Sequence, residues 1–138
     1  MVIVSIIGYS LDAISDMNFD DRMAYATSIQ IILDNEQSNH EFTFQKITKE
    51  NFDVMTTIPE TIETGKEYTI GGEATNPIQD GIVHLYYTYG KNYTAQFISY
   101  FDPFGDPVKC SQEAGSSEIS ITCYEDSSIQ FEIKDTNP

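Results

Sequence analysis

The sequence predicts an all-β protein, a single antiparallel β-sandwich with a short N-terminal helix. Three observations predict it. Apolar and polar side chains alternate with period 2 through most of the 138 residues. Turn signals punctuate those runs at short intervals. The chain is one domain long, 40% hydrophobic and 12% aromatic, enough to build a buried core.

The elements follow in chain order. Met1-Val2-Ile3-Val4-Ser5-Ile6-Ile7 is the longest apolar run. It is too short for the ~18 residues of a membrane span, lacks a basic leader and soon meets Asp12. It reads as a buried strand. Leu11, Ile14 and Met17 recur every three residues, and Ser10 is a suitable N-cap, so residues 9–21 predict one or two helical turns. Residues 1–22 are thus an appended strand and helix, and residues 23–138 the sandwich. Within the sandwich, Ile29, Ile31 and Leu33 alternate with polar neighbours, and so do Phe42 and Phe44, then Tyr68 and Ile70. Ile119, Ile121 and Cys123 repeat the pattern, and Ile129, Phe131 and Ile133 close it. Such alternation sets one face in a core and the other in water. The intervening turn signals are Asp34-Asn35, Thr64-Gly65-Lys66, Gly71-Gly72, Gly90-Lys91-Asn92 and Asp126-Ser127-Ser128. Residues 135–138 are expected to fray.

Charge narrows the function. There are 22 Asp+Glu against 7 Lys+Arg, a net charge of −15. Nucleic-acid backbones and anionic lipid are poor partners for such a chain, because both are held by clustered Lys and Arg. Asp16-Met17-Asn18-Phe19-Asp20 matches the first half of an EF-hand loop. The sixth position is then Asp21 rather than Gly, and the twelfth Thr27 rather than Glu, so a solvated acidic turn is the reading. His40 and His84 are the only histidines, and neither lies in a spaced ligand set. His84 alternates with Ile82 and Tyr86 and reads as a satisfied strand histidine. No Ser lies in a nucleophile elbow, and no Gly-rich loop opens a helix. No catalytic residue, metal ligand or cofactor is therefore assigned, and the protein is read as not an enzyme. Cys110 and Cys123 lie too far apart for a CxxC motif. A cross-strand disulfide and two reduced core thiols both remain open. Asn92-Tyr93-Thr94 is a glycosylation acceptor in a eukaryotic secretory route.

Residues 86–104 are dense in aromatics. Residues 82–89 and 93–101 read as two strands joined by the Gly90-Lys91-Asn92 turn, a hairpin. Val83, Leu85, Tyr87 and Tyr89 share one face; Ile82, His84 and Tyr86 share the other. Two roles stay open for these rings. They can close both sides of a central hairpin, or one side can present Tyr to a membrane interface or recognition surface.

The chain resembles the aegerolysins over residues 22 to about 105. Arg22 precedes the strand Thr27-Ser28-Ile29-Gln30-Ile31-Ile32-Leu33-Asp34-Asn35. Pro59-Glu60-Thr61-Ile62-Glu63-Thr64-Gly65 follows, then Asp80-Gly81-Ile82-Val83-His84-Leu85-Tyr86-Tyr87, then Tyr100-Phe101-Asp102-Pro103-Phe104-Gly105. These small β-sandwich proteins of fungi and bacteria include the short component of bacterial binary insecticidal toxins. The fungal members are Trp-rich near their lipid-binding face, and this chain has no Trp. The resemblance implies a non-enzymatic protein that recognises a zwitterionic membrane lipid, a sphingolipid or a surface receptor, beside a second pore-forming protein. It implies release without a typical signal peptide and action at a target-cell membrane. Tyr86, Tyr89, Tyr93, Tyr100 and Phe104 are the expected lipid- or ligand-binding residues. The alternatives are an acidic inhibitor of a basic protein and a carbohydrate-binding sandwich.

Overall fold

The computed structural model describes residues 28–136, which form ten strands and no helix. In chain order they are β1 (Ser28–Gln37), β2 (Phe42–Glu50), β3 (Asp53–Val54), β4 (Thr61–Ile62), β5 (Glu67–Glu73), β6 (Gly81–Tyr89), β7 (Tyr93–Phe101), β8 (Pro107–Glu113), β9 (Ile119–Glu125) and β10 (Ile129–Asp135). The helix expected within residues 9–21, the strand expected at residues 1–7 and the acidic turn lie outside the described residues.

Two five-stranded sheets pack face to face. The first has the order β9-β10-β1-β5-β3, the second β4-β2-β6-β7-β8. The expected sandwich is present, with one departure. β10 runs parallel to β1, with Ile129 beside Ile31 and Phe131 beside Leu33. Nearly the whole described chain separates these strands, so no tight hairpin forces them antiparallel. Every other pairing is antiparallel.

The period-2 runs supply the core. Ile29, Ile31 and Leu33 of β1, Val83, Leu85 and Tyr87 of β6, Phe97 and Phe101 of β7, and Phe131 of β10 are all buried. Phe97 meets Phe131 across the two sheets edge to face, with centroids 5.2 Å apart. Burial pushes the Tyr87 hydroxyl well above its ordinary pKa. Its hydroxyl donates to the Pro59 carbonyl at 2.7 Å, which satisfies it.

Two expected turns are strand instead. Asp34-Asn35 continues β1. The Asn35 side chain points inward and donates from Nδ2 to the carbonyls of His40 (2.8 Å) and Glu63 (3.1 Å). It tethers two loops from within a strand rather than opening a turn of its own. Gly71-Gly72 lies inside β5. A Cβ at Gly72 would sit 2.4 Å from the Phe52 ring and 2.6 Å from the Asp53 carbonyl oxygen. Glycine is needed there for close approach, not for a bend.

Both open edges are managed. On one side β8 and β9, the edge strands of the two sheets, are joined by the Cys110–Cys123 disulfide. Gln112 Nε2 donates to the Ile121 carbonyl, and Glu125 Oε2 accepts from the Cys110 backbone amide, across the same seam. On the other side the edges are the two-residue strands β3 and β4. Short or covered edges discourage strand addition.

Candidate functional site

The β6–β7 hairpin forms as expected, with Gly90 at φ 60° and Asn92 at φ 66° making its turn. Its register runs from Gly81 opposite Phe101 to Tyr89 opposite Tyr93. The five expected ligand residues are thereby dispersed over three places.

Tyr86 and Tyr100 lie half-buried on the outer face of the second sheet. Tyr86 stacks on His84 with centroids 4.2 Å apart, and the Lys46 ammonium sits 4.5 Å from its ring. His84 Nε2 is 2.8 Å from Gln96 Oε1, so this histidine is held as the sequence predicts. The Lys109 ammonium covers Tyr100 at 4.6 Å.

Tyr89 and Tyr93 sit at the hairpin's turn end and face inward. Tyr89 is 3% exposed. Its hydroxyl donates to the Ala114 carbonyl at 2.7 Å, and burial raises its pKa. Period 2 puts Tyr89 on the face of Val83 and Leu85, so it is a core ring and offers nothing to a ligand. Tyr93 packs against it at 5.5 Å.

Phe104 is 62% exposed, in the turn between β7 and β8 at the other end of the sandwich. Asp102 Oδ1 accepts from the amides of Phe104 and Asp106, both at 2.9 Å, and Gly105 takes φ 88°. This side-chain-capped turn holds Phe104 outward.

Phe104 has company that sequence reasoning missed. Ile78 is 87% exposed in the β5–β6 loop, and Val108 is 53% exposed at the start of β8. The register puts both at the Phe104 end, since Gly81 opposes Phe101 and Phe101 opposes Pro107. Tyr124, near the close of β9, and Met55, just past β3, are exposed elsewhere: the Tyr124 hydroxyl donates to Glu132 on the outer face of the first sheet, and the Met55 amide donates to the Gly71 carbonyl inside β5. These five are all the large hydrophobic side chains exposed among the described residues. The loop that carries Ile78 is held in place. Asn51 Oδ1 accepts from the amides of Thr75 and Asn76, while its Nδ2 donates to the carbonyls of Asn76 and Gln79. A usable signal was present in Pro77-Ile78-Gln79-Asp80 and Pro107-Val108-Lys109. An apolar residue next to turn formers, outside any alternating run, has no strand face to bury it.

Charge is segregated by sheet. The strands of the first sheet carry eight acids (Asp34, Glu36, Asp53, Glu67, Glu73, Glu125, Glu132 and Asp135) and one Lys, Lys134. Those of the second carry two acids, Glu50 and Glu113, and three Lys, Lys46, Lys49 and Lys109. The loops of the apolar end add Asp80, Asp102, Asp106 and Asp126. Among the described residues no group of His, Cys, Asp and Glu is placed to hold a metal ion, and no helix is long and apolar enough to cross a membrane. Compared with models of known protein families and with the curated proteins, the sequence matches none.

Proposed function

We propose that the chain is a non-enzymatic, aegerolysin-like β-sandwich that docks its apolar end on the interface of a zwitterionic or sphingolipid-containing membrane, or on a receptor displayed there, and works beside a second, pore-forming protein. One observation carries the docking surface. Ile78, Phe104 and Val108, three of the five exposed large hydrophobic side chains, gather at one end, the first two on loops that hydrogen bonds hold in place. The order of motifs from Arg22 to Gly105 supports the lipid and partner assignments.

Burying Ile78, Phe104 and Val108 is worth roughly 5 kcal/mol, given that each is already partly covered. That corresponds to a dissociation constant on the order of 0.1–1 mM. One end alone is a weak anchor, which suits a protein that requires a specific headgroup or a second contact. The aspartates around the tips repel anionic lipid and leave neutral lipid as the target.

Vesicle co-sedimentation tests this reading. Phosphatidylcholine vesicles, with and without sphingomyelin, should bind the chain at low and high salt alike. The double substitution Ile78→Asp with Phe104→Asp should reduce binding at least tenfold. Failure of the unsubstituted chain to bind any neutral vesicle would refute it. The acid excess of the first sheet favours a second reading, an inhibitor of a basic protein. That reading predicts salt-sensitive binding to the protein partner without vesicles.

A further inference from the structure

The outer face of the second sheet has a charge pattern that the membrane reading does not use. Two cross-strand rows, four residues apart along β6, cross the face and mark the corners of a patch on it. One runs Lys46, Tyr86, Gln96, Glu113 from β2 to β8. The other runs Glu50, Ile82, Tyr100, Lys109 across the same strands. The corners are therefore basic and acidic in one row, acidic and basic in the other. They sum to zero on a molecule of net charge −15.

From this geometry we infer that the chain forms a two-fold homodimer through that face. Turn a second copy over onto the first about an axis parallel to the strands. Lys46 then meets Glu113 of the second copy, Lys109 meets Glu50, and the reciprocal pairs form by symmetry. An isologous interface needs a self-complementary patch, and this one is self-complementary. The centre of the face is half-buried Ile82, Ile98, Tyr86 and Tyr100, the amphipathic composition of an interface core. Each Lys already lies over a Tyr ring, at 4.5 and 4.6 Å, so the ammoniums are held against the face rather than extended from it. The occupant is a second copy because two such acidic molecules can approach closely only where each is locally neutral.

Size sets the strength. Three nine-residue strands of ~30 Å and the seven-residue β8 of ~23 Å, side by side at ~4.8 Å spacing, give about 550 Å² per copy. The total of about 1,100 Å² is at the low end of specific interfaces, so the dimer is reversible. The strand-parallel axis points both apolar ends the same way. Two weak anchors would then address one surface together.

Sedimentation velocity over a concentration series, without lipid, tests the dimer independently of membrane binding. The unsubstituted chain should pass from monomer to dimer as concentration rises. Lys46→Glu with Lys109→Glu leaves four acidic corners; Glu50→Lys with Glu113→Lys leaves four basic ones. Each variant alone should be monomeric over that range, with an unchanged circular dichroism spectrum. An equimolar mixture of the two should regain the dimer. Lys46→Glu with Glu113→Lys in one chain should dimerise like the parent, because a strand-parallel axis pairs those positions. A parent that stays monomeric, variants that each dimerise like the parent, or a mixture that stays monomeric would overturn the dimer. Loss of dimer in the Lys46→Glu, Glu113→Lys chain would overturn the axis.

Discussion

Asn35 shows how much one side chain can organise. It is fully buried in β1, and its Nδ2 faces the carbonyls of His40 and Glu63, which belong to two separate loops. Its backbone amide donates to the Lys66 carbonyl, and its carbonyl accepts from Gly65. Its Oδ1 alone finds no partner. The donors are what matter, so Asn35→Asp is the informative change. It keeps the shape, removes both side-chain N–H groups and sets a carboxylate against carbonyl oxygens. Denaturant unfolding should show a loss of roughly 3 kcal/mol or more. An unchanged midpoint would show that the two loops do not depend on this residue. Phe104 makes the complementary point at the surface. Asp102 builds its turn, and the ring is left outside because the turn offers it no interior.

Among the elements, the alternating strands were legible and the short ones were not. β6 and β7 coincide with the expected hairpin to within a residue, because nine residues of strict period 2 leave one way to bury Val83, Leu85, Phe97 and Phe101. β3 and β4 are two residues each, too short to show a period. β8 was missed because its outward residues Lys109, Ser111 and Glu113 alternate with Cys110 and Gln112, a weak contrast. Of the five expected ligand residues, only Phe104 is among the exposed large hydrophobic side chains. Tyr86 and Tyr89 looked equivalent in an aromatic-rich run, yet their odd spacing sends one outward and the other into the core. Ile78 escaped notice because residue type alone does not reveal that a loop is held apart from the core. The β8–β9 seam carries its own prediction. The cystine closes a loop of about 14 residues, for which chain-entropy arguments give about 3 kcal/mol. Cys110→Ser with Cys123→Ser should lower stability by about that amount in chemical unfolding. A melting curve identical to the parent's would mean that the hydrogen bonds of Gln112 and Glu125 hold the seam unaided.

For the whole molecule, acidity governs behaviour. Among the described residues the negative charge is concentrated on the first sheet and the loops, and the second sheet's outer face is spared. Like-charge crowding has a definite sign. Asp34 raises the pKa of exposed Glu36, while burial, then Asp53, raises that of Glu73. A carboxyl raised above its unfolded value of 4.5 binds its proton more tightly in the folded state. Its stabilising contribution is therefore present at low pH and lost as pH rises through the folded pKa. The melting temperature should accordingly rise as pH is lowered through the acid range toward 4.5, and should also rise with added salt at neutral pH. A melting temperature that falls on both changes would contradict this assignment. The same distribution leaves an acidic sheet, a neutral sheet and an apolar end, and the central claim is that the apolar end meets the membrane. Hydrogen–deuterium exchange with and without neutral sphingomyelin-containing vesicles tests it most directly. Slower exchange on vesicle addition is predicted in residues 75–79 and 102–108, with residues 90–92 and 114–118 at the opposite end unchanged. Protection confined to residues 90–92 and 114–118, or no protection anywhere, would contradict it.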